Sequence, residues 1–214
     1  MTENTSSDHR TKVGKQRRER TRLRILDAAL RVFAKMGTDA PLIDDFIAEA
    51  GISRGTFYNY FRTTHELLQV TVEWISADII DSIEVAIVGE TNPLLRLTIG
   101  LRCWLEKAKD EPNWAAFVAR PDFIKNLPLS PVKRDLLAGL ELNIFHFPNE
   151  RVALDLVTGT LIMAMHGSIQ ANATSEYITN VIQIVLQGLG VDPLLIEMAI
   201  ASPLPKLQNS PNII

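Results

Sequence analysis

Basic side chains cluster near the start of the chain. Residues 12–24 contain seven Lys and Arg side chains and one acidic residue, Glu19. Such a run can neutralise the phosphates of a nucleic acid and release their counterions. A solvated, unstructured tail explains a basic run equally well, so the run alone leaves both interpretations open.

The charge of the whole chain is unevenly distributed. The formal net charge is −3. Residues 1–65 carry 12 Lys and Arg against 8 Asp and Glu, whereas residues 66–214 carry 10 against 17. Only the first part of the chain is therefore suited to binding a polyanion.

Residues capable of catalysis or metal binding are scattered. Pro148 lies between His146 and Glu150 and breaks the one helical pair that could share a metal. Cys103 is the only cysteine, which excludes an intrachain disulfide, and no Gly-rich phosphate loop occurs. We expect no metal, no cofactor and no enzymatic activity, and a small helical enzyme is the competing class. The other histidines are His9, His65 and His166.

The N-terminus lacks the pattern of a secretory signal, and the longest apolar runs, such as residues 161–165, are far shorter than the roughly 18 residues of a membrane span. We therefore expect a cytoplasmic protein without membrane association.

Apolar periodicity predicts a compact helical unit after a disordered segment, residues 1–16. A first helix carries an apolar stripe and ends at Gly37. A second helix, with Pro41 in its first turn, runs to about Ala50. Gly51 then allows a tight turn, and Ser53 can cap a third helix over residues 54–61. Phe57 and Phe61 share one face of this helix, so a polar face is left outside, as in a helix-turn-helix.

The rest of the chain shows helical periodicity only, which predicts an all-α fold with two domains. A helix-turn-helix domain covers residues 17–66, a larger helical domain covers 67–190, and a Pro-rich tail covers 191–214. The predicted helices span residues 64–88, 92–110, 113–119, 129–146, 150–172 and 175–189, with one short helix at 194–201.

The sequence of residues 43–61, IDDFIAEAGISRGTFYNYF, resembles the DNA-binding signature of the TetR/AcrR family of regulators. The resemblance extends over residues 20–68 and includes the apolar stripe of the first helix and the Ala-Gly-x-Ser turn. It implies a transcriptional regulator, most simply a repressor, that binds double-stranded operator DNA as a homodimer and responds to a small-molecule effector. An activator of the same fold and a DNA-free adaptor are the alternatives.

The same resemblance places the third helix in the major groove, where Arg54 could reach guanine or a phosphate and Asn59 could pair with adenine. Tyr58 and Tyr60 would hold the sugar-phosphate backbone. The implied DNA-binding residues are Arg20, Ser53, Arg54, Gly55, Thr56, Tyr58, Asn59, Tyr60 and Thr64. Three positions depart from the family pattern: Leu42 replaces a capping Thr, Ile47 a small Ala, and Thr64 a Lys.

Two helices of the second domain, 150–172 and 175–189, carry apolar side chains on more sides than a single neighbouring helix could cover. We predict that they pair with their symmetry mates in a two-fold dimer, although a single-chain helical core is the alternative. The predicted interface residues are Val157, Leu161, Met165, Ile178, Val181, Ile182, Val185 and Leu189.

An effector site in the second domain rests on the family resemblance and on candidate residues that core packing could equally explain. Because the candidates include no Asp, Glu, Lys or Arg, they favour an uncharged or weakly polar hydrophobic effector. They are Trp74, Cys103, Trp104, Trp114, Phe117, Phe123, Phe145, His146, Met163 and His166.

Overall fold

A computed structural model describes residues 4–120, 123, 127–171 and 174–207, and every regular element in these ranges is a helix. The predicted all-α fold class is confirmed. The chain divides into two compact units within the fourth helix, between Thr71 and Val72. The helices are α1 (Asn4–Met36), α2 (Ile43–Ala50), α3 (Arg54–Tyr58), α4 (Thr64–Ala86), α5 (Pro93–Asp110), α6 (Pro112–Val118), α7 (Ser130–Glu141), α8 (Glu150–Ala171), α9 (Ser175–Gly188) and α10 (Pro193–Ala201).

The core of the first unit forms between α1 and α2. Leu26, Ala29 and Phe33 of the predicted stripe are fully buried, and the ring centroids of Phe33 and Phe46 are 4.9 Å apart. Arg31 of α1 donates to Glu49 of α2 at 2.6 Å, which ties the two helices at their surface. The predicted turns are present as well, because Gly37 and Gly51 have φ angles of 90° and 60°, values that glycine adopts without steric cost.

The structure corrects the limits of the first and second helices. α1 begins at Asn4, so most of the predicted disordered segment is helical. Arg10, Lys12, Lys15 and Gln16 of this extension are good helix formers, and the helix extends backwards without an apolar stripe. Pro41 lies before α2, not in its first turn, because Asp45 accepts a hydrogen bond from the amide of Leu42 at 2.7 Å and fixes Leu42 as the N-cap. Residues 1–3 and 208–214 lie outside the described residues.

Two further helices are shorter than predicted. α3 ends at Tyr58, because the amides of Asn59 and Tyr60 bond to carbonyls three residues back and tighten the last turn. α7 ends at Glu141, although helix was predicted to residue 146. There Asn143 has a φ of 55°, and the amides of residues 144 and 145 both donate to the carbonyl of Gly139.

The second unit is built around α5, which packs against α6, α7, α8, α9 and α10. Its buried face includes Leu97, Leu101 and Leu105. α10 coincides within one residue with the short helix predicted in the tail. No helix among the described residues has the length and apolar character needed to cross a membrane.

Candidate nucleic-acid interface and effector cavity

The segment after Ser53 forms an exposed helix on an apolar anchor. Ser53 Oγ accepts a hydrogen bond from the amide of Thr56 at 3.1 Å, as an N-cap does. Phe57 and Phe61 are buried in the first unit. The predicted DNA-binding residues of this segment remain accessible: Ser53, Arg54, Gly55, Tyr58 and Asn59 are exposed, and Thr56 and Tyr60 are half-buried.

Arg54, the basic residue of α3, forms an ion pair with Asp44 of α2. Arg54 Nη2 lies 2.5 Å from Asp44 Oδ1, and both side chains are exposed. The hydrogen bond to Asp44, followed by the charge of its carboxylate, raises the pKa of Arg54. Because water screens an exposed pair, a phosphate or a base edge can replace the carboxylate. Sequence reasoning missed this partnership, since ten residues and a turn separate the two positions.

Tyr60 joins α3 to the basic part of α1. Its hydroxyl donates to the carbonyl of Arg18 at 3.1 Å, and the guanidinium of Arg18 lies 5.9 Å from the centre of the Tyr60 ring. The hydroxyl predicted to hold a phosphate is thus used within the protein. A polar cleft of about 560 Å³ lies beside this contact, lined by Gly14, Arg17, Arg18, Thr21, Thr56, Asn59 and Tyr60.

The basic run is therefore positioned by the fold and is helical over its whole length. Arg17 and Arg18 line the cleft, whereas Arg20 is exposed on α1 and does not line it. Thr64, the last predicted DNA contact, is half-buried at the first position of α4. Individual arginines of the run could be ranked only from the structure, because their positions relative to α3 depend on how α1 packs.

A small cavity lies in the second unit. Its volume is about 70 Å³, measured by where the centre of a water-sized sphere fits. Apolar side chains of α4, α5, α7 and α8 form most of its wall, and Glu84, Arg96, Asp135 and Thr158 supply polar groups. The apolar wall consists of Ile80, Ile83, Ile87, Leu97, Leu101, Trp104, Leu127, Leu129, Val132, Val157 and Leu161, with Gly100, Pro128 and Pro131.

Of the predicted effector residues, Trp104 alone lines this cavity. Trp104 packs against Trp114 with tilted rings whose centroids are 5.2 Å apart, and Phe117 and Phe123 complete the aromatic cluster. The other candidates lie elsewhere: Cys103 and Phe145 are buried, Trp74 is half-buried, and His146, Met163 and His166 are exposed. Residue type marked these side chains as candidates, but the direction each one faces was decided by packing.

The cavity ends at a cluster of two carboxylates and two guanidinium groups. Arg96 donates to Glu84 at 2.7 Å and to Asp135 at 3.1 Å. Arg134 donates to the same two carboxylates, at 3.0 and 2.9 Å. Burial raises the pKa of Glu84, but hydrogen bonds from Arg134 and Arg96 and their positive charges outweigh it, so the pKa of Glu84 lies below its ordinary value. The hydrogen bond to Asp135 is the largest cause that raises the pKa of Arg134.

The predicted dimer-interface residues occupy the core of the single chain, which corrects that assignment. Val181 is half-buried, and the other seven are at most 6% exposed: Val157, Leu161, Met165, Ile178, Ile182, Val185 and Leu189. The same two helices, α8 and α9, expose a different apolar face that includes Val152, Met163, Tyr177 and Ile184. Periodicity showed that these helices are apolar on several sides, but not which side the chain itself covers.

The part of the chain that the structure describes contains no group of three or more His, Cys, Asp or Glu side chains that could hold a metal ion. The fold and the accessible α3 define a helical protein with a helix-turn-helix, and comparison with known proteins shows what this helix-turn-helix resembles. The model for bacterial regulatory proteins of the tetR family matches residues 25–71. Over residues 25–71 the chain thus carries the DNA-binding domain of the tetR family of bacterial regulatory proteins.

Relatives in sequence match over short stretches of the chain. The HTH-type transcriptional regulator YfiR of Bacillus subtilis is 36% identical over 62 residues, which are 29% of this chain and 30% of that protein. SrpR of Pseudomonas putida is 41% identical over 54 residues, 25% of each chain. These matches cover less than two thirds of the relatives' own length.

Solved structures match over most of the chain. RolR in complex with resorcinol has a TM-score of 0.68 at 26% identity, over 91% of this chain and all of that one. FadR of Bacillus subtilis in complex with stearoyl-CoA has a TM-score of 0.67 at 17% identity, over 77% of this chain and 97% of that one. The latter likeness concerns the fold alone.

Proposed function

We propose that this chain is a cytoplasmic transcriptional repressor that binds operator DNA as a homodimer and whose affinity for DNA is controlled by a small effector. The observation that carries the proposal is the accessible α3, with Arg54, Tyr58 and Asn59 exposed beside the arginines of α1. Base-reading side chains on a short helix and basic residues beside them supply both specificity and phosphate attraction.

A second copy of the chain is the partner that best fits the exposed face of α8 and α9. Met163 of α8 is 66% exposed and Ile184 of α9 is 62% exposed, and Val152 and Gly159 lie on the same face of α8 as Met163. Large apolar side chains on neighbouring helices are costly to leave in water, and glycine allows close helix approach. A two-fold dimer would present two α3 helices to half-sites roughly 34–36 Å apart.

The dimer is tested by sedimentation velocity of the full chain. We expect Ile184→Glu to produce monomers, because the substitution would bury a carboxylate in the interface. Val88→Glu is the matched control, since Val88 is also highly exposed but lies beyond the end of α4. A dimer that persists in Ile184→Glu would contradict this interface.

Effector control is supported by the cavity in the second unit and by RolR, the structural relative whose crystals contain resorcinol. An activator would use the same fold, so promoter activity must distinguish the two. If the chain is a repressor, a reporter carrying the operator across its promoter will be silenced by the chain and released by the effector. Increased expression in the presence of the chain would favour the activator.

Operator binding is tested by selection from a random pool of duplex DNA with the full-length protein. We expect a palindromic consensus whose binding weakens steeply as salt is raised, because counterions are released from contacted phosphates. Arg54→Ala should weaken binding while the melting temperature stays unchanged. Recovery of no duplex with salt-sensitive affinity would contradict the proposal.

A further inference from the structure

The charges at the polar end of the effector cavity cancel one another. Arg96 and Arg134 carry two positive charges, and Glu84 and Asp135 carry two negative charges within hydrogen-bonding distance of them. The side chains of Arg96 and Asp135 are 13% and 9% exposed, whereas those of Glu84 and Arg134 are 33% and 50% exposed, so only the inner pair of the cluster is largely removed from water. A charged ligand would therefore enter an apolar cavity without an unpaired counterion, which is unfavourable.

The cluster nevertheless keeps unused hydrogen-bonding capacity on both sides. Among the described residues, Arg96 uses three of its five N–H groups, to Asp135, Glu84 and the carbonyl of Glu90. The Asp135 carboxylate accepts three hydrogen bonds, of which only one, from Arg134 Nη2, reaches Oδ2. A carboxylate has about four acceptor positions, so Oδ2 can accept one more. A hydroxyl, which both donates and accepts, matches the remaining N–H groups of Arg96 and the remaining acceptor position of Asp135.

The rest of the cavity limits the size of the ligand. Its volume of about 70 Å³ leaves room for several waters or one small ring, not for a long acyl chain. Trp104 and aliphatic side chains form the wall, and Gly100 keeps one side open, since no atom lies within 4 Å of where its Cβ would be. An apolar ring with hydroxyl groups at its edge fits both the wall and the polar end.

We propose that the effector is a small, uncharged, hydroxyl-bearing aromatic molecule, and that the Asp135 carboxylate and the Arg96 guanidinium together bind its hydroxyl. This inference rests on the proposed effector control of DNA binding and adds the chemical class of the ligand. It also assigns Glu84 and Arg134 as positioning residues, because they hold the guanidinium and carboxylate groups that touch the hydroxyl.

The inference is tested by calorimetric titration of the full-length protein with resorcinol, phenol, toluene, benzoate and stearoyl-CoA. We expect resorcinol to bind best, toluene about tenfold or more weakly because it lacks the hydroxyl, and benzoate and stearoyl-CoA to bind least. Benzoate or stearoyl-CoA binding as tightly as resorcinol, or binding of none of the aromatic probes, would overturn the inference.

Asp135→Asn separates hydroxyl recognition from a general structural loss. The substitution leaves the cluster with one excess positive charge, so the preference for resorcinol over benzoate should fall about tenfold or more. A purely structural role would weaken both ligands alike and keep that ratio. If Asp135→Asn does not fold, Gly100→Leu fills the cavity from its apolar wall and should abolish resorcinol binding, whereas Gly14→Leu in the other unit should not.

DNA release is measured separately, by the fluorescence anisotropy of a labelled operator. Resorcinol that binds without releasing DNA would support the ligand class and contradict effector control. Release by a compound of another class, with no binding of any aromatic probe, would support effector control and overturn the ligand class.

Discussion

Arg54 and Asp44 face each other across the turn between α2 and α3, with 2.5 Å between Nη2 and Oδ1. The side chain that the family resemblance brings to DNA is thus neutralised in the free protein by a carboxylate on the neighbouring helix. Because the pair is exposed, it is readily exchanged for a contact with DNA.

Asp44→Asn should raise the affinity for DNA of any sequence several-fold, because it removes a negative charge beside the phosphates and frees Arg54. The slope of log affinity against log salt should steepen by about 0.9, the value for one additional phosphate contact. Anisotropy titrations with a non-specific duplex at several salt concentrations measure both effects. Asp39→Asn makes the same charge change at another exposed position. An equal gain in that variant would show that overall charge alone is responsible.

Tyr58→Phe should affect DNA binding and Tyr60→Phe should affect stability, since the two hydroxyls have different environments. The Tyr60 hydroxyl donates to the carbonyl of Arg18, so removing this hydroxyl should lower the free energy of unfolding by roughly 0.5–1.5 kcal/mol. Tyr58 is exposed, so its loss should weaken operator binding and leave stability unchanged. Chemical denaturation and anisotropy on both variants check this. A stability loss in Tyr58→Phe that equals that of Tyr60→Phe would contradict it.

Gly139→Ala should destabilise the second unit. A Cβ at Gly139 would lie 2.1 Å from Cδ2 of Phe145, whose ring is fully buried, so helix α7 and the ring must separate. Overpacking of this kind costs about 1–3 kcal/mol. Gly100→Ala is the control and should stabilise α5 by roughly 0.5–1 kcal/mol, because nothing lies within 4 Å of its Cβ position. Equal melting temperatures for the two variants would refute the packing argument.

The thiol of Cys103 should be unreactive in the folded protein. Burial raises its pKa to about 11, and the nearby charges of Arg102 and Glu106 have smaller, opposing effects. The pKa of the thiol in the folded protein lies above the unfolded value of roughly 8.5. The thiol therefore makes its full contribution to the stability of the folded state below pH 8.5, and this contribution is lost as the pH rises towards 11. Thiol labelling at pH 8 should follow global unfolding in denaturant. Rapid labelling of the native protein would contradict the burial of Cys103.

The sequence by itself determined the features that neighbouring residues define. The stripe of α1 and the turn from Gly51 to Ser53 depend on spacings of a few residues, as does the pairing of Phe57 with Phe61. Local spacing is what helical periodicity and capping express, which is why the helix-turn-helix and its exposed residues could be predicted.

Only the tertiary structure decided which apolar faces of α8 and α9 are covered, and which charged residues meet. Glu84 bonds to Arg134 and Arg96 to Asp135 across separations of 50 and 39 residues, and Arg54 meets Asp44 across a turn. The cavity beside Trp104 likewise exists only where four helices pack side by side. Helical periodicity reports that a face is apolar but not which neighbour buries it, because contacts between distant segments depend on the packing of the whole unit.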